Sequence, residues 1–137
     1  MPQYIFVYPH EFKYISPLKR IADYIKSRDS KEVSRHHITR LFDPLEEFLQ
    51  SRRKMTALAK VMEQFARHYG FKDEKERAEV EKAVCELLDW LAIERSKDPV
   101  GIFKTLRELR TLLIGLVYGY VKLEPIPYEK KQFQKEV

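Results

Sequence analysis

The segment VSRHHITRLF, residues 33–42, carries the side chains of this sequence that are best suited to chemistry. Two adjacent histidines, His36 and His37, lie between Arg35 and Arg40. Histidine can bind a metal ion or transfer a proton near neutral pH, and arginine binds phosphate groups through several N–H donors. Three interpretations are therefore open: a metal site, an acid–base pair, or a cationic contact for a phosphate backbone.

The metal and acid–base interpretations have little support. Neighbouring residues on a helix point about 100° apart, so His36 and His37 cannot both bind one ion from one face. Cys85 is the single cysteine, which excludes an intrachain disulfide and cysteine-rich zinc sites. Gly-rich phosphate loops, HExxH and GxSxG are all absent, so we expect no enzyme, no cofactor and no metal site. A helical ribonuclease that uses His36 or His37 is the least favoured alternative.

The positive charge of the chain is concentrated in its first half. The net charge is +5, and residues 1–72 hold 14 Lys and Arg against 8 Asp and Glu. Residues 73–123 are nearly balanced, with 9 against 10. A one-sided basic surface favours a polyanion as partner. The alternative is that a surface rich in Lys, Arg and Glu, which is typical of thermophiles, is basic without any such partner.

A row of cations extends this basic surface. Lys60 and Arg67 are seven residues apart on a predicted helix and share a face, and Arg53 lies seven residues before Lys60. Such a row can follow a nucleic-acid backbone without reading bases. Glu63 can pair with either neighbour, and the row can equally be an ordinary solvated face. The residues that we expect to contact phosphates are Arg40, Arg53, Lys60 and Arg67, followed by Arg35, His37 and Arg107.

Start signals divide the chain into about five helices. Most starts combine a capping side chain, a first-turn proline or both with an apolar stripe at helical spacing. Asp73 also has Glu76 three residues later, which completes a capping box. Pro44 lies inside the second stripe, where we expect a kink or a fresh start. The starts are Ser16-Pro17, Ser34, about Thr56, Asp73 and Asp98-Pro99.

The glycines and the chain ends complete the predicted architecture. Gly70 is a good stop for the third helix. The last helix is expected to continue to Tyr120, and the spacing of Gly115 and Gly119 indicates close helix packing. YIFVY, at residues 4–8, has the composition of a strand without an obvious partner, so we expect an extended arm. The prediction is one all-α domain over residues 1–137, with an extended arm (1–15), a compact helical bundle (16–123) and an irregular tail (124–137).

No membrane segment and no signal peptide are expected. The first residues lack a basic region and a long apolar run, and the stretch from Leu112 to Val121 is about half the length of a membrane span. Together with the single cysteine, this predicts a cytoplasmic protein.

Three stretches of the sequence resemble one family, the small helical subunit of type III-A CRISPR interference complexes. The resemblance covers roughly residues 17–123, and the small subunits of type I-A and type III-B complexes show a comparable pattern. The start of the family's second helix is matched here by Val33, Ser34, Ile38 and Arg40. The first stretch is ADYIKSRDSKEVSRHHITRLFDPLEEFL. The second is LAKVMEQFARHYG, in which Phe65, Ala66 and Arg67 match the family. The third is LRELRTLLIGLVYGYVKL, in which Val117 and Tyr118 match it.

The resemblance implies a non-catalytic subunit that contacts guide RNA and target RNA or DNA through basic residues, without base readout. It also implies association with other subunits of the effector complex, including copies of the same chain. The sequence leaves open whether the target is RNA or DNA. The main alternative is an assembly protein in which the aromatic arm, from Tyr4 to Tyr8, and Phe133 in the tail hold neighbouring subunits together.

Overall fold

The computed structural model describes residues 3–9, 12–28 and 34–126 of the chain. The elements in chain order are β1 (Tyr4–Tyr8), α1 (Ile15–Lys26), α2 (Arg35–Arg40), α3 (Phe42–Ser51), α4 (Lys54–His68), α5 (Glu74–Lys97), α6 (Ile102–Tyr118) and β2 (Val121–Pro125). The predicted all-α bundle of about five helices is confirmed, since only Leu41 separates α2 from α3. Within the described ranges, no helix has the length and apolar character needed to cross a membrane.

One apolar core joins all six helical segments. The helix α1 packs against α5 and α6, and α3 lies between α4 and α6. Phe65, Leu88 and Leu109 are at most 1% exposed. Burial of each such side chain contributes roughly 1.5–3 kcal/mol, which fixes the helices relative to one another. Among the described residues no polar or charged side chain is buried in this core, so the basic side chains lie at the surface.

The second predicted helix is divided, as Pro44 indicated. The helix α3 starts at Phe42, which places Pro44 in its first turn, where no intrahelical N–H donor is needed. Ser34 caps α2, because its Oγ accepts the N–H of His36 at 3.2 Å. The predicted fresh start and the predicted cap are both confirmed, and α2 is a separate helix of only six residues.

The boundaries of α4 and α5 follow the predicted signals closely. Gly70 has a φ of +67° and donates its N–H to the carbonyl of Phe65, which ends α4. Asp73 caps α5 by accepting the N–H of Glu76 at 2.8 Å. In the predicted capping box the carboxylate of Glu76 would accept the N–H of Asp73. It accepts the N–H of Lys72 instead, at 2.9 Å, so this half of the prediction is wrong.

Two predicted helix starts are wrong in detail. The helix α1 begins at Ile15, and its first turn has no side-chain cap, so Ser16 does not cap it. Asp98 accepts the N–H of Gly101 at 2.9 Å and forms a turn that precedes Ile102. Pro99 therefore lies in that turn and not in the first turn of α6.

Part of the predicted extended arm forms a sheet with a segment that joins the end of the predicted bundle (16–123) to the start of the predicted irregular tail (124–137). The strands β1 and β2 are parallel, with Tyr4 opposite Val121 and Tyr8 opposite Pro125. The side chains that point inward pack against the helical core, which supplies the stability that two short strands lack alone. Val33 lies outside the described residues, and so does the predicted tail beyond residue 126, with Phe133.

The predictions for Gly115, Gly119 and the end of the last helix are also wrong. Gly119 has a φ of +77° and ends α6 after Tyr118, so the helix does not reach Tyr120. Gly115 faces β2 and not another helix, because a Cβ atom built there would lie 2.3 Å from Cγ2 of Val121. The glycine therefore lets the sheet approach α6 closely.

Candidate nucleic-acid interface

A stacked pair of histidines joins α2 to the end of α4. The rings of His37 and His68 have centroids 3.8 Å apart and planes 15° apart. Beside them, Nε2 of Gln64 donates to the carbonyl of Arg40 at 3.3 Å. The Nδ1 atom of His37 is buried and has no hydrogen-bond partner among the described residues. The two helices are thus fixed to each other at the point where their basic side chains meet.

Two arginines lie close enough to His68 to influence the pKa of its imidazole. Burial is the main reason that the pKa of His68 is lowered, and the positive charges of His37, Arg67 and Arg40 lower it further. We call Arg40, His37, His68 and Arg67 the α2–α4 basic cluster. A bound anion would oppose this effect, because its negative charge favours the protonated imidazole.

Carboxylates partly neutralise the cations of α4. Arg67 pairs with Glu63 at 2.8 Å, and Nζ of Lys60 pairs with Glu47 at 3.0 Å. Both pairs are exposed, with 66% of the Arg67 side chain and 48% of the Lys60 side chain accessible. Exposed ion pairs contribute only about 0.2–1 kcal/mol, so a polyanion could replace either carboxylate.

The predicted row along α4 is exposed from end to end. Arg53 lies at the start of the helix and shares a shallow depression with Lys60 and Ser51. Arg67 lies in the last turn and belongs to the α2–α4 basic cluster. The row therefore connects directly with the basic residues contributed by α2.

Side chains, and not a helix terminus, would provide the phosphate contacts at α2. The six residues of α2 give a small helix dipole, and Ser34 already accepts the N–H of His36. Arg35 is exposed at the first helical position, where its carbonyl accepts the hydroxyl of Thr39 at 3.0 Å. The backbone N–H groups of this turn therefore offer little to a phosphate.

Arg107 does not join the other predicted residues. It lies on α6 beside Asp43 and Glu46 of α3. Lys60 of α4 pairs with Glu47, so α3 separates the two cations. The fold brings six of the seven predicted residues to α2 and α4 and leaves Arg107 elsewhere.

Sequence reasoning missed His68. Its importance comes from the contact of α2 with the end of α4, which no local pattern encodes. The available signal was its position directly after Arg67 in the last turn of a basic helix.

Within the described ranges, no group of three or more His, Cys, Asp or Glu side chains could hold a metal ion. Burial is the main reason that the pKa of the Cys85 thiol is raised, which disfavours the nucleophilic thiolate.

Comparisons with known proteins found no matching family model, no significant match among curated proteins and no significant match among solved structures.

Proposed function

We propose that this chain is a non-catalytic small subunit of a CRISPR ribonucleoprotein interference complex. It contacts the backbone of the guide–target nucleic acid through a basic face that is independent of sequence. The observation that carries the proposal is the α2–α4 basic cluster, which continues along α4 through Lys60 and Arg53. The resemblance of the three sequence stretches supports the choice of family.

The geometry of this face suits phosphates better than bases. Its cations stand on the outer surfaces of two helices, and those of α4 follow one line. Such a line can neutralise successive phosphates of a strand without reading its sequence. The carboxylates of Glu47 and Glu63 keep the affinity of a single copy low. Weak contacts of this kind become strong when several copies line one strand.

The proposed partners follow from this role. They are guide RNA, target RNA or DNA, other subunits of the effector complex and further copies of this chain. The proposed setting is antiviral defence in the cytoplasm, without a cofactor.

Assembly without nucleic-acid binding is the second candidate, and the outer surface of β1 favours it. Ile5 and Val7 point away from the core and are 58% and 56% exposed, and Tyr4 at the start of the strand is 67% exposed, on a sheet of only two strands. Unpaired strand edges and apolar faces of this kind are typical sites of association. Because the other face of β1 packs on the core, the appropriate test is Ile5→Thr with Val7→Thr and not deletion of the arm.

The test compares two pairs of substitutions. Arg40→Gln with Arg67→Gln should weaken binding to a single-stranded RNA at low salt by about ten- to thirtyfold, measured by fluorescence anisotropy. The matched control is Lys82→Gln with Lys97→Gln, which removes the same charge from α5 and should have a much smaller effect. Equal losses in the two variants would mean that only net charge matters, and unchanged binding in both would refute the proposal.

A further inference from the structure

A groove of about 500 Å³ runs between α6 and the two strands. Phe6 of β1, Leu112 of α6 and Val121 of β2 form an apolar floor. Its polar lining comes from α6, which contributes Lys104, Arg107, Glu108 and Thr111. The volume lies within the range of about 300–1,000 Å³ that is usual for small-molecule sites, and the groove is open to solvent.

The charge at this groove favours an anion. Lys104 and Arg107 are both exposed and lie one turn apart on α6. Among the described residues neither forms an ion pair, in contrast to Lys60 and Arg67 on α4. Carboxylates lie near them, with Asp43 and Glu46 beside Arg107 and Glu108 in the groove itself, but no described carboxylate is paired with either cation. A phosphate between Lys104 and Arg107 would therefore meet two cations whose N–H donors are not held in an ion pair.

The floor of the groove includes the aromatic ring of Phe6. The ring of Phe6 is half-buried and is held by Tyr8 at 6.5 Å and Phe12 at 5.9 Å between centroids. An aromatic ring in a fixed position is a stacking surface for any nucleobase. The Glu108 carboxylate can accept hydrogen bonds from amino groups of a base. The hydroxyl of Thr111 donates to the carbonyl of Arg107 at 3.2 Å, so its oxygen can still accept.

We propose that this groove binds one unpaired nucleotide of a single strand, with its base against Phe6 and its phosphate between Lys104 and Arg107. The inference rests on the proposed function and adds a contact that a duplex cannot make, because paired bases stay stacked in the helix. It also gives Arg107 a role that the row along α4 does not. A fatty acid would match the charge, but an open groove would leave much of its acyl chain in water.

The test uses two single strands of equal length and charge, one with normal bases and one abasic. The strand with bases should bind the full chain about five- to tenfold more tightly in fluorescence anisotropy. Phe6→Leu keeps an apolar side chain but removes the aromatic face, so the strand with bases should fall to the affinity of the abasic strand. Phe12→Leu is the matched control, because Phe12 packs on Phe6 without lining the groove, and it should keep the difference.

The failure of this inference is distinguishable from failure of the proposed function. Equal affinity for the two strands, or equal losses in the two leucine variants, would overturn the nucleotide site and leave the phosphate contacts intact. Absence of binding by both strands would overturn the two proposals together.

A strand that carries 5-iodouracil should photocrosslink to the peptide that contains Phe6, and crosslinks confined to α2 and α4 would contradict the site. Shifts of the Leu112 and Val121 amide resonances with a fatty acid, and not with the strand, would also overturn it.

Discussion

Replacing Gly115 by alanine tests how closely the two strands pack on α6. At an exposed helical position this change should stabilise the protein by roughly 0.8–1 kcal/mol, because alanine is the better helix former. Here the added methyl group would lie 2.3 Å from Cγ2 and 3.2 Å from Cβ of Val121. The structure therefore predicts the opposite sign.

The magnitude follows from how far Val121 must move. Carbon atoms pack at about 3.5–4 Å, so Cγ2 has to retreat by more than about 1 Å. Val121 has a stiff β-branched side chain, and its strand is paired to Tyr4, so the sheet has to shift with it. Overpacking of this kind costs about 1–3 kcal/mol. After subtraction of the gain in helix propensity, we expect a net destabilisation of about 1 kcal/mol.

The assay is urea unfolding followed by circular dichroism, carried out in two backgrounds. In the wild-type background, Gly115→Ala should lower the free energy of unfolding. In a Val121→Ala background the obstructing methyl groups are absent, so the same change should be neutral or should raise it. A stabilising effect of Gly115→Ala in the wild-type background would refute the close approach of β2 to α6.

Other consequences concern one ion pair and one histidine. Arg28 and Glu76 form an ion pair in which only 19% and 14% of the side chains are exposed, so Arg28→Ala should cost about 2 kcal/mol in urea unfolding. Arg77 forms two more exposed ion pairs, with Glu74 and Glu81, so Arg77→Ala should cost less than about 1 kcal/mol. Burial alone would raise the pKa of Glu76, but hydrogen bonds from Lys72 and Arg28 and the charges of both hold the pKa below the ordinary 4.5. The unfolded chain then binds the proton more readily than the folded protein, so this stabilisation should be lost as the pH falls below about 4.5. Glu76→Gln should flatten the dependence of the free energy of unfolding on pH in this range. An unchanged slope in that variant would contradict the pairing. Because the pKa of His68 is lowered in the free protein and a bound phosphate would raise it, affinity for RNA should increase severalfold as the pH falls from about 7.5 to about 5.5. His68→Gln should abolish that increase, and a dependence that persists in this variant would place the titrating group elsewhere.

The helices were predictable because their signals are local. Asp73 and Ser34 are capping side chains next to the turns that they cap, and Ile38 and Leu109 belong to apolar stripes that lie within one element. The reason for the fresh start at Pro44 is equally local, since proline lacks the N–H that a continuous helix needs.

The sheet was not predictable in the same way. The strands β1 and β2 lie at opposite ends of the described chain, and the side chain of Gln3 contacts the carbonyl of Gly119, 116 residues away. A short strand has no signature apart from its partner. Val121 and Leu123 do alternate with polar residues, but they follow the predicted end of the last helix at Tyr120 and fall inside the predicted helical bundle (16–123).

Only part of the candidate site follows from local sequence signals, and the rest depends on tertiary packing. Charge composition and helical spacing were sufficient to select Lys60, Arg67 and Arg40. The stacking of His37 on His68 and the separation of Arg107 from the row depend on how the helices pack, which is a property of the whole core.

The most direct test of the central claim is a salt titration of binding to a single-stranded RNA of about 40 nucleotides, with DNA of the same sequence alongside. Neutralisation of three to four phosphates by the basic face predicts that log affinity falls linearly with log salt, with a slope of about −2 to −3. Arg40→Gln with Arg67→Gln should make that slope shallower by about 1.4, and a change of nucleotide sequence should leave it unaltered. Absence of binding at low salt, or binding that salt does not weaken, would contradict the account.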